Sequence, residues 1–151
     1  EYAAVIGSLE EGLLSWLSGF CASSGDRPTA TSRQRGLYQA LEFLRSADVP
    51  RVSVADLCRV ARVSERTLRY AFHDELDLSP HAFLRRLRLH AARRELMNAE
   101  GAVPHIAVVA YRQGFLELGR FAADYRRLFG ELPSQTLAHR RTVTPSPLLL
   151  N

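Results

Sequence analysis

The stretch SVADLCRVARVSERTLRYAF, residues 53–72, decides the fold. Ser53 followed three residues later by Asp56 is a helix start, because a hydroxyl and a carboxylate together satisfy the first exposed N–H groups of a helix. Leu57, Cys58 and Ala61 then recur at helical spacing on one face, with Cys58 small enough to let two helices cross closely. Val63 fills the inside of a tight turn. Ser64 caps a second helix whose Leu68, Ala71 and Phe72 face inward, which leaves Arg66, Thr67, Arg69 and Tyr70 pointing outward.

The plan recurs in HIAVVAYRQGFLELGRFAADY, residues 105–125. Ile106, Val109 and Ala110 share one helical face, Gln113-Gly114-Phe115 makes the turn, and Leu118, Phe121, Ala122, Tyr125 and Phe129 are available for burial on the helix that follows. Gly114 stands where a left-handed backbone costs least, and its counterpart in the first copy is Arg62. The step from turn residue to inward anchor is Arg62 to Leu68 in one copy and Gly114 to Phe121 in the other, so the second carries one extra residue. These are two diverged helix-turn-helix patterns in an all-α chain of about seven helices.

Between them runs an Arg-rich segment with no acid from Ser79 to Arg94. Ser79 as cap and Pro80 at the first helical position open a long helix to about Met97. At 1.5 Å per residue it spans roughly 27 Å, comparable to the roughly 34 Å between successive major-groove faces. Phe83, Leu84, Leu87 and Leu96 are needed for packing. Arg85, Arg86, Arg93 and Arg94 are placed to touch phosphates, whereas Arg88 falls among leucines and is expected to pair with an acid such as Asp124.

The composition suits a compact helical binder of anions. The chain has 151 residues, 46% of them hydrophobic, with a formal net charge of +4, and its pI is near 9.6. Residues 37–151 hold seventeen Arg and twelve acids, so the basic surplus belongs to the motif-bearing part. Every basic residue is Arg, which suits bidentate contact with phosphates and bases, although a GC-rich genome gives the same bias. A helix lying in the major groove offers its N-terminal residues to base edges, and Arg can donate two hydrogen bonds to guanine O6 and N7. Arg66 and Arg69 are therefore the first candidates as base readers, with Thr67 and Tyr70 beside them. The bland alternative is a solvated helix face carrying two scattered arginines.

At this point the residues resemble the C-terminal DNA-binding domain of AraC/XylS-type bacterial transcription activators. The likeness runs from about Leu37 to Arg141. It rests on Leu57 to Phe72 followed by Leu78-Ser79-Pro80, on Leu84-Arg85-Arg86-Leu87-Arg88-Leu89 with Ala92-Arg93-Arg94, and on Gly114-Phe115, Gly119-Arg120-Phe121, Tyr125-Arg126-Arg127, Phe129-Gly130 and Pro133-Ser134. Leu118 to Gly130 is also similar to regulators of ethanolamine-utilisation operons. Arg62 departs from the family, whose first turn usually has glycine.

The resemblance implies a sequence-specific regulator, an activator by expectation, that inserts two recognition helices into successive major grooves of double-stranded promoter DNA, with RNA polymerase as a further partner. In the second motif it implies Glu117, Leu118, Gly119, Arg120 and Ala123 as groove-facing positions, of which only Glu117 and Arg120 bond strongly, so the first motif is expected to carry most base specificity. Phosphate anchoring is expected from the helix starts at Ser53, Ser64 and His105 and from Arg59, Arg112, Arg126 and Arg127. About six such contacts imply a log-log salt slope near 5.

Outside the likeness, Leu9, Leu13, Leu14, Leu17 and Phe20, with Trp16 nearby, mark an amphipathic helix over about 1–20, and 21–32 is a polar linker. The chain begins with Glu, and the family usually carries a sensory or dimerisation domain upstream, so residues 1–36 are expected to be the remnant joining that effector-binding domain, with packing on the core as the alternative. Gln34 to Ser46 should form the first helix of the domain, with Leu37, Leu41 and Leu44 inward. Residues 142–151 are expected to be a flexible tail, too short to span a membrane.

No enzyme, metal or cofactor reading assembles. Cys21 and Cys58 lack zinc-site spacing, neither has a base beside it as a methyl-accepting nucleophile would need, and His73, His81, His90, His105 and His139 form no HxxxH or HxH pair. Without a signal peptide or apolar span in the sequence, a cytoplasmic, nucleoid-associated protein is expected. The competing class is a basic helical module that binds an acidic protein and no specific DNA.

Overall fold

A computed structural model describes residues 32–98 and 105–143, and the expectations for 1–31, including Trp16 and Cys21, and for 144–151 lie outside the described residues. Among the described residues there are seven α-helices and one 3-10 turn: α1 (Ser32–Ser46), the turn Val49–Arg51, α2 (Val54–Ala61), α3 (Glu65–Leu76), α4 (Pro80–Asn98), α5 (Ile106–Arg112), α6 (Leu118–Phe129) and α7 (Pro133–Val143). The chain divides into two compact units between Leu84 and Arg85, inside α4.

In the first unit, Leu37, Ala40, Leu41 and Leu44 are all buried, the i, i+3, i+4, i+7 stripe of a core-facing helix. That stripe packs α1 against both α2 and α3. Gly36 lies where α1 crosses the turn between them: a Cβ there would come within 3.0 Å of a Val63 methyl. α1 begins at Ser32, two residues before the expected Gln34, and Arg33 reaches Asp74 of α3 at 3.0 Å. The partners are half exposed, so the pair adds little stability. Leu57, Ala61, Leu68 and Phe72 complete the core, and Phe72 meets Phe83 edge to face at 5.4 Å.

The second unit closes around Leu89, Ala92, Leu96, Val109, Ala110, Phe115, Phe121 and Tyr125. Aromatic rings run through it in series, Phe115 to Phe121 at 5.0 Å, Phe121 to Tyr125 at 5.6 Å and Tyr125 to Phe129 at 4.6 Å, a spacing that favours tilted and edge-to-face contacts. Gly130, at φ 75°, ends α6. α7 then packs on α6, and its last two residues, Thr142 and Val143, fall in the segment expected to be tail.

Two expectations about arginines in α4 are corrected. Arg85, expected on phosphate, pairs instead with Asp124. Arg93, expected on phosphate, is 6% exposed; its guanidinium lies 2.8 Å from Glu131 and 4.5 Å from the Phe129 ring centroid. The reason is register: Leu89, Ala92, Arg93 and Leu96 form one i, i+3, i+4, i+7 stripe, so Arg93 enters on the buried side and is retained there by a carboxylate. Tyr125 donates to the Thr136 hydroxyl at 2.9 Å, which in turn donates to Glu131 at 2.7 Å, and this ties α6 and α7 into the same network.

Candidate nucleic-acid interface

Each unit holds one helix-turn-helix, and both turns close with the same two backbone bonds. In the first, Arg62 N–H donates to Arg59 O and Val63 N–H to Cys58 O; in the second, Gly114 N–H donates to Tyr111 O and Phe115 N–H to Ala110 O. This 5→2 and 6→1 pair needs a left-handed residue. Gly114 supplies it at φ 81° and Arg62 at φ 52°, so arginine adopts here the backbone that glycine adopts in the other copy.

After the turn the copies part by one residue. Ser64 caps α3 and Glu117 caps α6, so Leu116 is the surplus residue of the second motif. Counting from the cap, Glu65 corresponds to Leu118, Arg66 to Gly119, Thr67 to Arg120, Leu68 to Phe121, Tyr70 to Ala123 and Phe72 to Tyr125. The inward anchors of the two helices coincide in this count. The outward sets differ in chemistry.

On α3, Arg66, Arg69 and Tyr70 are exposed. Both guanidinium groups lie over the Tyr70 ring, at 5.6 Å for Arg66 and 5.9 Å for Arg69, and Arg66 donates to the Tyr70 hydroxyl at 3.5 Å. Tyr70 thereby holds two bidentate donors fanned on one face, a contact worth about 0.5–1 kcal/mol each at exposed sites. Thr67 is half-buried; its N–H donates to Ser64 Oγ at 3.1 Å and the two hydroxyls are 2.8 Å apart, so it belongs to the cap as much as to the outer face.

On α6, Glu117, Gly119, Arg120 and Ala123 are all exposed. Leu118, counted among residues available for burial, is 39% exposed, and Leu116 is 83% exposed. The correction at Leu118 follows from its position: it opens the helix, three residues before the first buried anchor, Phe121. Leu116, expected as the first residue of this helix, lies two residues before it, and the one-residue offset between the copies marks its place.

The expected phosphate contacts divide. Ser53 is committed elsewhere: its N–H donates to Asp56 Oδ2 at 2.9 Å, its hydroxyl donates to the same oxygen at 2.6 Å, and it accepts from Asp56 N–H at 3.2 Å. With both donors on a carboxylate, this helix start carries an anion of its own. Those two bonds, then Arg59, hold the Asp56 carboxyl down at about 2. Arg59 reaches Asp56 at 2.7 Å yet stays largely exposed. Arg112 is oriented by Glu95, which also accepts from Gln113 at 3.1 Å. His105 caps α5 with no side-chain bond and is exposed, as are Arg126 and Arg127 in the last turn of α6.

Among the described residues no cluster of His, Cys, Asp or Glu could hold a metal ion, and no helix is long and apolar enough to cross a membrane. Cys58 is half-buried, and that burial, with Glu65 nearby, pushes its thiol up, away from the thiolate a nucleophile needs.

Residues 57–139 match the model of a helix-turn-helix domain family. The chain is 35% identical over 98 residues to the probable thc operon regulatory protein of Rhodococcus erythropolis, covering 65% of this chain and 30% of that protein. It is also 35% identical over 100 residues to the XylDLEGF operon transcriptional activator 2 of Pseudomonas putida, covering 66% and 64%. It thus spans less than two thirds of these curated relatives. Among solved structures it is similar to a probable AraC family transcriptional regulator from Rhodopseudomonas palustris, at 32% identity and TM-score 0.64 over 70% of this chain and 96% of that one. A transcriptional regulator with an AraC-type DNA-binding domain from Chromobacterium violaceum matches at 25% identity and TM-score 0.61, over 75% and 96%.

Proposed function

This chain belongs to the AraC/XylS family of helix-turn-helix DNA-binding transcription regulators, and from that premise we propose that it binds promoter DNA with α3 and α6 in the major groove, α3 carrying most of the hydrogen-bonded base readout. The observation that carries this reading is the exposed Arg66–Tyr70–Arg69 cluster on the second helix of the first helix-turn-helix. Two guanidinium forks three residues apart match the O6 and N7 acceptors of guanine. Arg120 supplies one further fork on α6, and the Glu117 carboxylate suits a cytosine amino group.

Arg59, Arg112, Arg126 and Arg127 serve as phosphate anchors, with His105 a weaker partner. Ser64 contributes by fixing the start of α3, and Ser53 by fixing α2, without reaching DNA. Regulation of an operon, as named for the Rhodococcus and Pseudomonas relatives, follows as the role of the whole protein, with RNA polymerase as the receiving partner and an effector sensed by a domain outside this chain.

A fluorescence-anisotropy titration against random duplex, followed by selection of sites from a random pool, tests the reading. Arg66→Ala and Arg69→Ala should each cost about 1–3 kcal/mol at one base pair and relax preference there, while Arg120→Ala weakens binding with a smaller change in preference. Equal losses on selected and scrambled duplexes for all three would refute the division of labour. Binding to acidic proteins with no response to duplex would replace it with the interaction-module reading.

A further inference from the structure

α3 and α6 are built on the same turn and the same inward anchors, so positions where they differ are not dictated by the scaffold. At the first helical position α3 has Glu65 and α6 has Leu118, which is 39% exposed. At the next, α3 has Arg66 and α6 has Gly119. Nothing in the fold asks for glycine there: its φ is not positive and an added Cβ would meet no atom within 4 Å, yet glycine inside a helix is less favourable than alanine. The surplus residue before the cap is Leu116, 83% exposed. Two large apolar side chains therefore flank the start of a groove-directed helix, and the space beside them is kept open.

We propose, resting on the DNA-binding reading above, that Leu116 and Leu118 are specificity residues that read thymine by apolar contact with its C5-methyl group. The thymine methyl is the one apolar feature on the major-groove edge of the base pairs, and covering it removes leucine surface from water that the free chain leaves exposed. Exposed Arg120 and Arg126 on the same helix suit an occupant that is anionic as well as apolar in places, as a duplex is. Gly119 lets the backbone of α6 approach the base edges without a side chain between. The second unit thus reads by shape and methyl groups where the first reads by hydrogen bonds.

The test uses the full chain and a duplex selected from a random pool, with each thymine replaced singly by deoxyuridine, which removes the methyl and keeps the pairing. At least one replacement should weaken binding about three- to fivefold, the worth of burying one methyl. Leu116→Ala combined with Leu118→Ala should then bind the thymine and uracil duplexes alike, whereas Arg66→Ala should keep the discrimination. Both leucines are exposed enough for the variants to fold, and Leu116→Ala alone, losing part of the discrimination, guards against a fold defect in the pair. The proposal is overturned by a selected site whose uracil replacements change nothing, by a double variant that discriminates like the parent, or by selected sites without thymine. A chain that binds no duplex sinks the DNA reading itself, a result readily told apart from these.

Discussion

Arg62 occupies a left-handed backbone, φ 52° and ψ 40°, that costs a side-chain-bearing residue roughly 1 kcal/mol more than glycine. Arg62→Gly should therefore raise stability by about 0.5–1 kcal/mol, less than the full strain because glycine also loosens the unfolded chain; a thermal melt reads the sign, and a loss would mean that the Arg62 side chain makes up for its own backbone. A larger effect belongs to Glu131, the acid that compensates buried Arg93 at 2.8 Å. Leaving a buried guanidinium without its carboxylate costs about 3–5 kcal/mol in fully buried pairs, and since Glu131 keeps 16% of its side chain in solvent, Glu131→Ala should cost about 2–4 kcal/mol in denaturant unfolding. Arg93→Met together with Glu131→Leu should recover much of that, because the charge and its partner leave together. Arg93 shows what the sequence held and did not disclose: its place on the Leu89–Leu96 stripe was readable, but an arginine in an acid-free run reads first as a phosphate ligand, and its partner lies 38 positions away.

The elements were legible wherever a cap or a periodic stripe declared them. Ser53 with Asp56, Ser64, and Ser79 with Pro80 placed the starts of α2, α3 and α4, and Ser79 Oγ indeed accepts from Ala82 N–H at 3.2 Å. Less was legible where the chemistry was weak: Glu117, at the cap of α6, makes no side-chain cap bond, and Leu118, which its spacing offers for burial and the resemblance turns toward the groove, is 39% exposed. The caps also carry a pH signature. The Asp56 carboxyl sits at about 2, below its ordinary 3.8, chiefly through its bonds from Ser53. A depressed carboxyl adds stability that is fully present above the unfolded value and is lost as pH falls through the folded one, so the start of α2 should loosen between about pH 4 and pH 2. Asp56→Asn should remove that contribution at neutral pH and flatten the acid limb over this window, as read by far-UV circular dichroism across pH; an unchanged limb would show that the capping box contributes nothing to it.

For the molecule as a whole, charge decides how the chain meets DNA, and burial decides which charges count. Twenty Arg against sixteen acids give +4 over the chain, a surplus too small to predict binding by itself. Its distribution matters more: Arg93 is withdrawn into the core by Glu131 and Arg85 is paired with half-buried Asp124, while Arg59, Arg112, Arg126 and Arg127 and, on α4, Arg86 and Arg94 stay exposed as candidate anchors. Each phosphate neutralised on a duplex contributes about 0.9 to the log-log salt slope, so about six such contacts give a slope near 5. Arg126→Ala should lower the slope by about 1 and weaken binding to selected and scrambled duplexes alike, whereas Arg93→Met should leave the slope unchanged even if it alters stability. Titrations from about 50 to 200 mM salt separate the two, since a slope that falls with Arg93→Met would place that guanidinium on phosphate and return it to the surface set from which its burial removes it.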